Sequence, residues 1–247
     1  TRVIALVLES IADGPALVAA LREVTPFKPV VILKTGRGTA GKRAAASHTA
    51  ALAQDYRVAR AVLRQAGAVL VDDGLSLFDV AAALDRQPRL RGRRVAIISN
   101  SGGTGVELAD RLEAQGLEVP ALSASLQQRI AAYLPAHGSA ANPVDVTTDW
   151  KRFATMYRES LRALLASDEI DAVVPVLLQR SALDEGVVAA VIEESAEAST
   201  AAGAADKPVH VCWVAPTQGD ALRRRLQDAG LPCHEWAART ARVLAHC

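Results

Sequence analysis

The chain has 247 residues, half of them hydrophobic, and a formal net charge of +1, which suits one large or two modest globular domains. This balance leaves no footprint for nucleic acid or an anionic membrane surface; no apolar run approaches the ~20 residues that span a bilayer, and the N-terminus lacks a signal-peptide pattern. Cys212, Cys233 and Cys247 are too few for a disulfide framework and point to a reducing cytoplasm.

In chain order, residues 2–8 form a continuous apolar run, as a buried parallel strand does. Asp13, Gly14 and Pro15 open a helix through about residue 24, and residues 30–34 are the second strand. A glycine-rich loop follows and contains His48. A helix over 49–65, closed by Gly67, a short strand over 68–71 and a helix over 75–84 complete the first part. The polar, basic stretch 85–93, punctuated by Pro88 and Gly92, marks a boundary between a first domain over 1–88 and a second over 93–247.

The pattern then restarts with a strand over 95–98, a glycine turn over 99–105, a helix over 106–114 and a short strand over 117–119. Helices are expected over 123–134, 157–165, 185–202, 220–229 and 237–245. Further strands are expected over 172–178, 209–214 and 231–234, and residues 141–146 read as an extended loop. Alternating strands and helices imply parallel sheets covered on both faces. The second unit reads as a complete flavodoxin-like, doubly wound domain. The first reads as a flavodoxin-like unit truncated at its N-terminal half, and its exposed sheet edge predicts association with another chain.

Two familiar patterns overlap in the first glycine loop, and neither is complete. Gly36-x-Gly38-x-x-Gly41 follows a strand as a dinucleotide fingerprint does, but the acidic residue expected ~20 positions on is not placed, since Asp72 and Asp73 come too late. Gly36-x-x-x-x-Gly41-Lys42 mimics a P-loop, yet Arg43 stands where Ser or Thr would hold Mg²⁺. No metal site is expected, because His210, Cys212, Cys233, His234, His246 and Cys247 lack the spacing of convergent ligands.

His48, between Ser47 and Thr49 in a run of small residues, suits a nucleophile that accepts and releases a bulky anion. A phosphoryl group on one ring nitrogen needs donors around it, which Ser47, Thr49 and a helix N-terminus can provide. The other ring N–H needs an acceptor. Glu9, at the C-terminal end of a neighbouring parallel strand, is placed for that. In the second unit, Ser101, Gly102 and Gly103 form a strand-to-helix turn that either simply closes the chain or binds an anion on its N–H groups.

The segment Lys28-Pro-Val-Val-Ile-Leu-Lys-Thr-Gly-Arg, followed by Gly41-Lys-Arg-Ala-Ala-Ala-Ser-His-Thr-Ala-Ala-Leu, resembles the phosphohistidine segment of NDP-forming acyl-CoA synthetases. These are the ADP-forming acetate–CoA ligases, related to succinyl-CoA synthetase. Leu6-Val7-Leu8-Glu9 resembles the strand that carries the glutamate paired with that histidine. Residues 97–106 and Ala141-Asn142-Pro143-Val144-Asp145 resemble the family's next flavodoxin-like domain. The resemblance implies that His48 carries the phosphoryl group, that Glu9 orients it, and that Gly102 and Gly103 cradle phosphate. It departs at Ala50 and Ser10, where the family has glycine.

The resemblance also implies the substrates, namely ATP/ADP with Mg²⁺, CoA, acyl phosphate and phosphate. Their binding would fall mainly to an ATP-grasp partner and a CoA-binding domain, within an oligomer. A second reading keeps the architecture without turnover, as an acyl-CoA or nucleotide sensor or a scaffold module. The pairing of His48 with Glu9 favours the enzyme, because a sensor needs neither.

Overall fold

The computed structural model describes residues 1–49, 55–179, 183, 185–200, 207–215 and 220–247, and gives no account of the side chains of 45–49 and 220. The chain divides into two compact units, Thr1–Asp85 and Arg86–Ala245. Among the described residues, no helix is long and apolar enough to cross a membrane.

The first unit runs β1 (Ile4–Leu8), α1 (Gly14–Val24), β2 (Val30–Lys34), α2 (Thr39–Thr49), α3 (Tyr56–Gln65), β3 (Val69–Val71) and α4 (Gly74–Arg86). Its three strands are parallel, in the order β1-β2-β3, with Ile4 opposite Val30 and Leu8 opposite Lys34. Ile4, Leu6 and Leu8 pack on a core of Leu21, Ile32, Leu63 and Leu70. The alternate side chains of β1 do not, and Val7 is 57% exposed. The run over 2–8 therefore gives an edge strand buried on one face, not the fully buried strand that its continuous apolarity suggested. Asp13 caps α1 by accepting from the Ala16 N–H at 2.8 Å, and Pro15 occupies the first turn, where its missing N–H costs nothing.

The sequence placed His48 in a glycine loop and began a helix at residue 49. The structure instead closes residues 39–49 into α2 and starts a new helix at Tyr56, capped by Asp55, which accepts from the Arg57 N–H at 2.8 Å. The cause is composition: an alanine run is the strongest helix former available, and it outweighs the glycines on its N-terminal side. His48 thus lies on the last helical turn. Ala50, the departure from the family pattern, lies outside the described residues.

The second unit contains β4 (Val95–Ser99), α5 (Gly102–Ala114), α6 (Ala124–Ala131), β5 (Val144–Asp145), a 3-10 turn (Trp150–Arg152) and α7 (Phe153–Leu165). It continues with β6 (Ala172–Leu178), α8 (Glu185–Thr200), β7 (Val211–Val214), α9 (Asp220–Asp228), β8 (Cys233–Glu235) and α10 (Trp236–Leu244). The sheet is parallel, in the order β5-β4-β6-β7-β8. Numbered within the unit this is 2-1-3-4-5, the flavodoxin order, whose ligand crevice lies where the strand order reverses, here between the C-terminal ends of β4 and β6. Val95, Ile97 and Val174 face Leu108, Leu112 and Leu244, while Ile98, Val173 and Leu177 face Ile130, Leu161 and Val188, so helices cover both sides.

The expected strand over 117–119 is not a strand. Glu118 makes one isolated bridge to Arg94, and the sheet's outer strand is instead the two-residue β5, inside the stretch read as a loop. The outer edge of β4 is closed by three separate pieces. Backbone groups of Glu118 pair with Arg93 and Val95, the Asn142 side chain follows, and β5 comes last. Asn142 Oδ1 accepts from the Ile97 N–H at 2.9 Å, while its Nδ2 donates to the Val95 carbonyl at 2.8 Å and the Pro120 carbonyl at 3.1 Å. One side chain does the work of a strand residue.

Candidate functional site

The C-terminal edge of the first sheet gathers the groups that matter. Because β1 and β2 are parallel and in register to Leu8 and Lys34, both chains leave the sheet side by side. β1 leads to Glu9, which is exposed, and β2 leads to Thr35 and Gly36, the latter at φ +73°. The left-handed conformation at Gly36 turns the chain toward α2, and a side chain there would be strained. The Thr35 N–H donates to the Leu8 carbonyl at 3.0 Å, which ties the two exits together.

Lys34 is the member of this edge that sequence reading did not single out as a site residue. Its side chain is 95% buried (5% exposed), and Nζ donates to the Glu9 and Thr35 carbonyls, each at 2.8 Å. Burial holds its pKa below the usual lysine value, and the neighbouring Glu9 carboxylate opposes that shift. A signal was available. Strand alternation puts position 34 on the same inward face as Val30 and Ile32, where a lysine needs a reason.

Arg37 fixes the other side of the turn. It donates to the Val71 carbonyl at 3.0 Å, pairs with Asp72 at 2.6 Å, and stands 5.2 Å from the centre of the Tyr56 ring. Asp72, which comes too late for a nucleotide ribose, is thus an anchor for the turn. Ser47, His48 and Thr49 follow on the last turn of α2, with side chains outside the description. The structure therefore brings Glu9 to the sheet edge that feeds α2.

In the second unit, the Ser101-Gly102-Gly103 turn lies at the C-terminal end of β4, at the reversal of strand order. Gly102 and Gly103 are not a loop before the helix, as the sequence suggested, but its first two residues. Their N–H groups are among those that a helix leaves without intrahelical partners. The Ser101 side chain does not cap them, because its Oγ lies 3.0 Å from Thr104 Oγ1. Ser99 Oγ, 2.7 Å from the Ser101 carbonyl and 3.0 Å from its N–H, stiffens the turn from below. A Cβ on Gly103 would meet nothing within 4 Å, and one on Gly102 would touch only Asp145 Oδ2 at 3.5 Å. The helix start is open on the side where an anion would approach.

The remaining histidine and cysteine candidates behave as packing groups. His210 is fully buried, its ring 5.9 Å from that of His234, and Cys212 lies within the core beneath α5 and α10. Among the described residues, no group of three or more His, Cys, Asp or Glu could hold a metal ion.

Comparison with known proteins agrees with this layout. Residues 1–84 match the succinyl-CoA ligase like flavodoxin domain, and residues 95–244 match the Ligase-CoA domain. The chain is 32% identical, over 99% of its length, to the alpha subunit of the ADP-forming acetate–CoA ligase I of Pyrococcus furiosus, and 30% identical over 95% to the ligase II alpha subunit of that organism. It spans about half of these relatives, 52% and 50% of their lengths. A solved acetyl-coenzyme A synthetase 1 of Candidatus Korarchaeum cryptofilum, in complex with phosphate and ADP, superposes with a TM-score of 0.89 at 27% identity, covering 100% of this chain and 52% of that one. Two parallel α/β units in this order, each matched by its own family model, place the chain in the family of ADP-forming acyl-CoA synthetases.

Proposed function

We propose that this chain is the phosphohistidine-carrying portion of an ADP-forming acyl-CoA synthetase, which converts an acid, CoA and ATP to acyl-CoA, ADP and phosphate through phosphorylated His48. One observation carries the reading: parallel, in-register β1 and β2 set Glu9 at the same sheet edge from which the chain enters the helix bearing His48. A ring nitrogen of His48 attacks the terminal phosphorus of ATP, and ADP leaves. The acid's carboxylate then attacks that phosphorus, the N–P bond breaks, and acyl phosphate forms. CoA thiolate attacks the acyl carbon, and phosphate leaves.

In this scheme Glu9 accepts the hydrogen bond of the other ring N–H and so fixes the reactive tautomer. Ser47 and Thr49 donate to the phosphoryl oxygens. The helix start at Ser101, Gly102 and Gly103 offers backbone N–H groups and a positive dipole end to the same kind of anion. ATP with Mg²⁺ and CoA are substrates, bound chiefly by an ATP-grasp partner and a CoA-binding domain. The protein would work in the cytoplasm as part of an oligomer.

The test is peptide mass spectrometry under alkaline conditions, after the full protein has been incubated with Mg-ATP or with acetyl phosphate. An acid-labile phosphate on the peptide containing His48, absent in His48→Ala, is the expected result. An unmodified His48 with both donors, in a protein that still binds acyl-CoA or nucleotide, would replace this reading with the sensor.

A further inference from the structure

The buried lysine at the end of β2 has a consequence for the proposed chemistry. Position 34 lies on the core-facing side of the strand, opposite Leu8 and in line with Val30 and Ile32. An aliphatic residue there would extend the core, and an ammonium group taken out of water is costly unless its donors are met. Two of its three donors are met by backbone carbonyls of the two exit segments, Glu9 from β1 and Thr35 from β2. The lysine therefore holds the residue whose carboxylate is to meet the histidine ring, and it does so through that residue's own backbone. Nζ also stands 4.0 Å from the point that a Cβ on Gly36 would occupy, beside the turn that leads into α2.

We propose that Lys34 is a positioning residue that acts through Glu9: its ammonium, clamped on the Glu9 and Thr35 carbonyls, sets the Glu9 carboxylate where it pairs with the His48 ring. The inference rests on the reading of His48 and Glu9 given above. Burial disfavours the charged form of Lys34, and the Glu9 carboxylate beside it works in the other direction. No bond is made or broken by Lys34 itself.

The experiment is an NMR titration of the His48 ring in the wild-type protein and in Lys34→Met, Glu9→Gln and the double variant, with the resonance assigned by its loss in His48→Ala. A carboxylate partner raises a histidine pKa, so Glu9→Gln is expected to lower the His48 midpoint by about one pH unit. Lys34→Met should produce at least half of that fall, and the double variant should titrate like Glu9→Gln alone, since the lysine acts only through the glutamate. Phosphorylation of His48 from acetyl phosphate should slow ~10-fold in Lys34→Met. A wild-type midpoint in Lys34→Met, or single effects that add in the double variant, would overturn the proposal, as would a Glu9→Gln midpoint equal to that of wild type. If Lys34→Met does not fold, Lys34→Gln, which keeps a donor without the charge, takes its place under the same criteria. Titrations that follow the expected pattern in a protein whose His48 is never phosphorylated would sustain the role of Lys34 and remove the phosphohistidine reading instead.

Discussion

His210 shows how one side chain can set the acid limit of the molecule. It is fully buried, and neither ring nitrogen has a hydrogen-bond partner among the described residues. Burial, with a smaller contribution from the neighbouring His234 ring, pushes its pKa down to about 3 from the usual 6.5. The unfolded chain takes up a proton below about pH 6.5 and the folded chain does not until near pH 3, so stability present above that window is lost as the pH falls through it. Between pH 7 and pH 5 this single group costs about 2 kcal/mol. Urea unfolding of the wild type and of His210→Leu at both pH values measures it: the variant should lose less stability on acidification by about that amount, and an unchanged difference would assign the acid sensitivity elsewhere. Lys34 is buried as well, but two of its three donors are met by carbonyls, and so it serves as an anchor where His210 is a liability.

At the scale of elements, α5 opens with two glycines where nearly any other residue would make a better helix. A methyl on Gly103 meets nothing within 4 Å, so Gly103→Ala should stabilise the fold by about 0.5–1 kcal/mol through helix propensity alone. If the proposed function holds, the same methyl would stand where an anion approaches the N–H groups of the helix start, and phosphoryl transfer by the full protein should fall even as the melting temperature rises. Thermal melts paired with an assay of acyl-CoA formation would show whether the two move in opposite directions. The same comparison explains how much was legible. The runs over 30–34 and 172–178 are short, apolar and β-branched, and both fold with the expected bounds because local preference and burial agree. The segment over 39–49 misled because glycines signal a loop while alanines build a helix, and the alanines prevail. Lys34 went unremarked because a lysine at a strand end is ordinarily solvated, and only its inward register betrays it. The residue types of the candidate site were legible from local pattern, but the way Glu9 and Thr35 are held was not, since it depends on groups far apart in the chain.

Among the described residues the chain forms two parallel α/β units, one with a three-stranded sheet and one with a five-stranded sheet, each bringing its candidate anion-binding groups to the C-terminal ends of its strands. That shared layout follows from parallel strands, which deliver every loop after a strand to the same edge. The second sheet carries one more consequence, which concerns solubility. The outer edge of β4 is a stretch of Val, Ala and Ile, the kind of segment that stacks into intermolecular β-structure once its backbone is bare. Asn142 stops it there with two hydrogen bonds from a single amide, whose third bond goes to the Pro120 carbonyl, so its most costly loss would be between molecules rather than within one. Asn142→Ala would leave the Val95 carbonyl and the Ile97 N–H open, and light scattering during mild heating should detect aggregation well below the temperature at which the wild type clouds. A variant that melted earlier but stayed monodisperse would show that the amide guards only the fold. If it clouds as expected, one side chain in a loop is what keeps copies of this protein from zipping together.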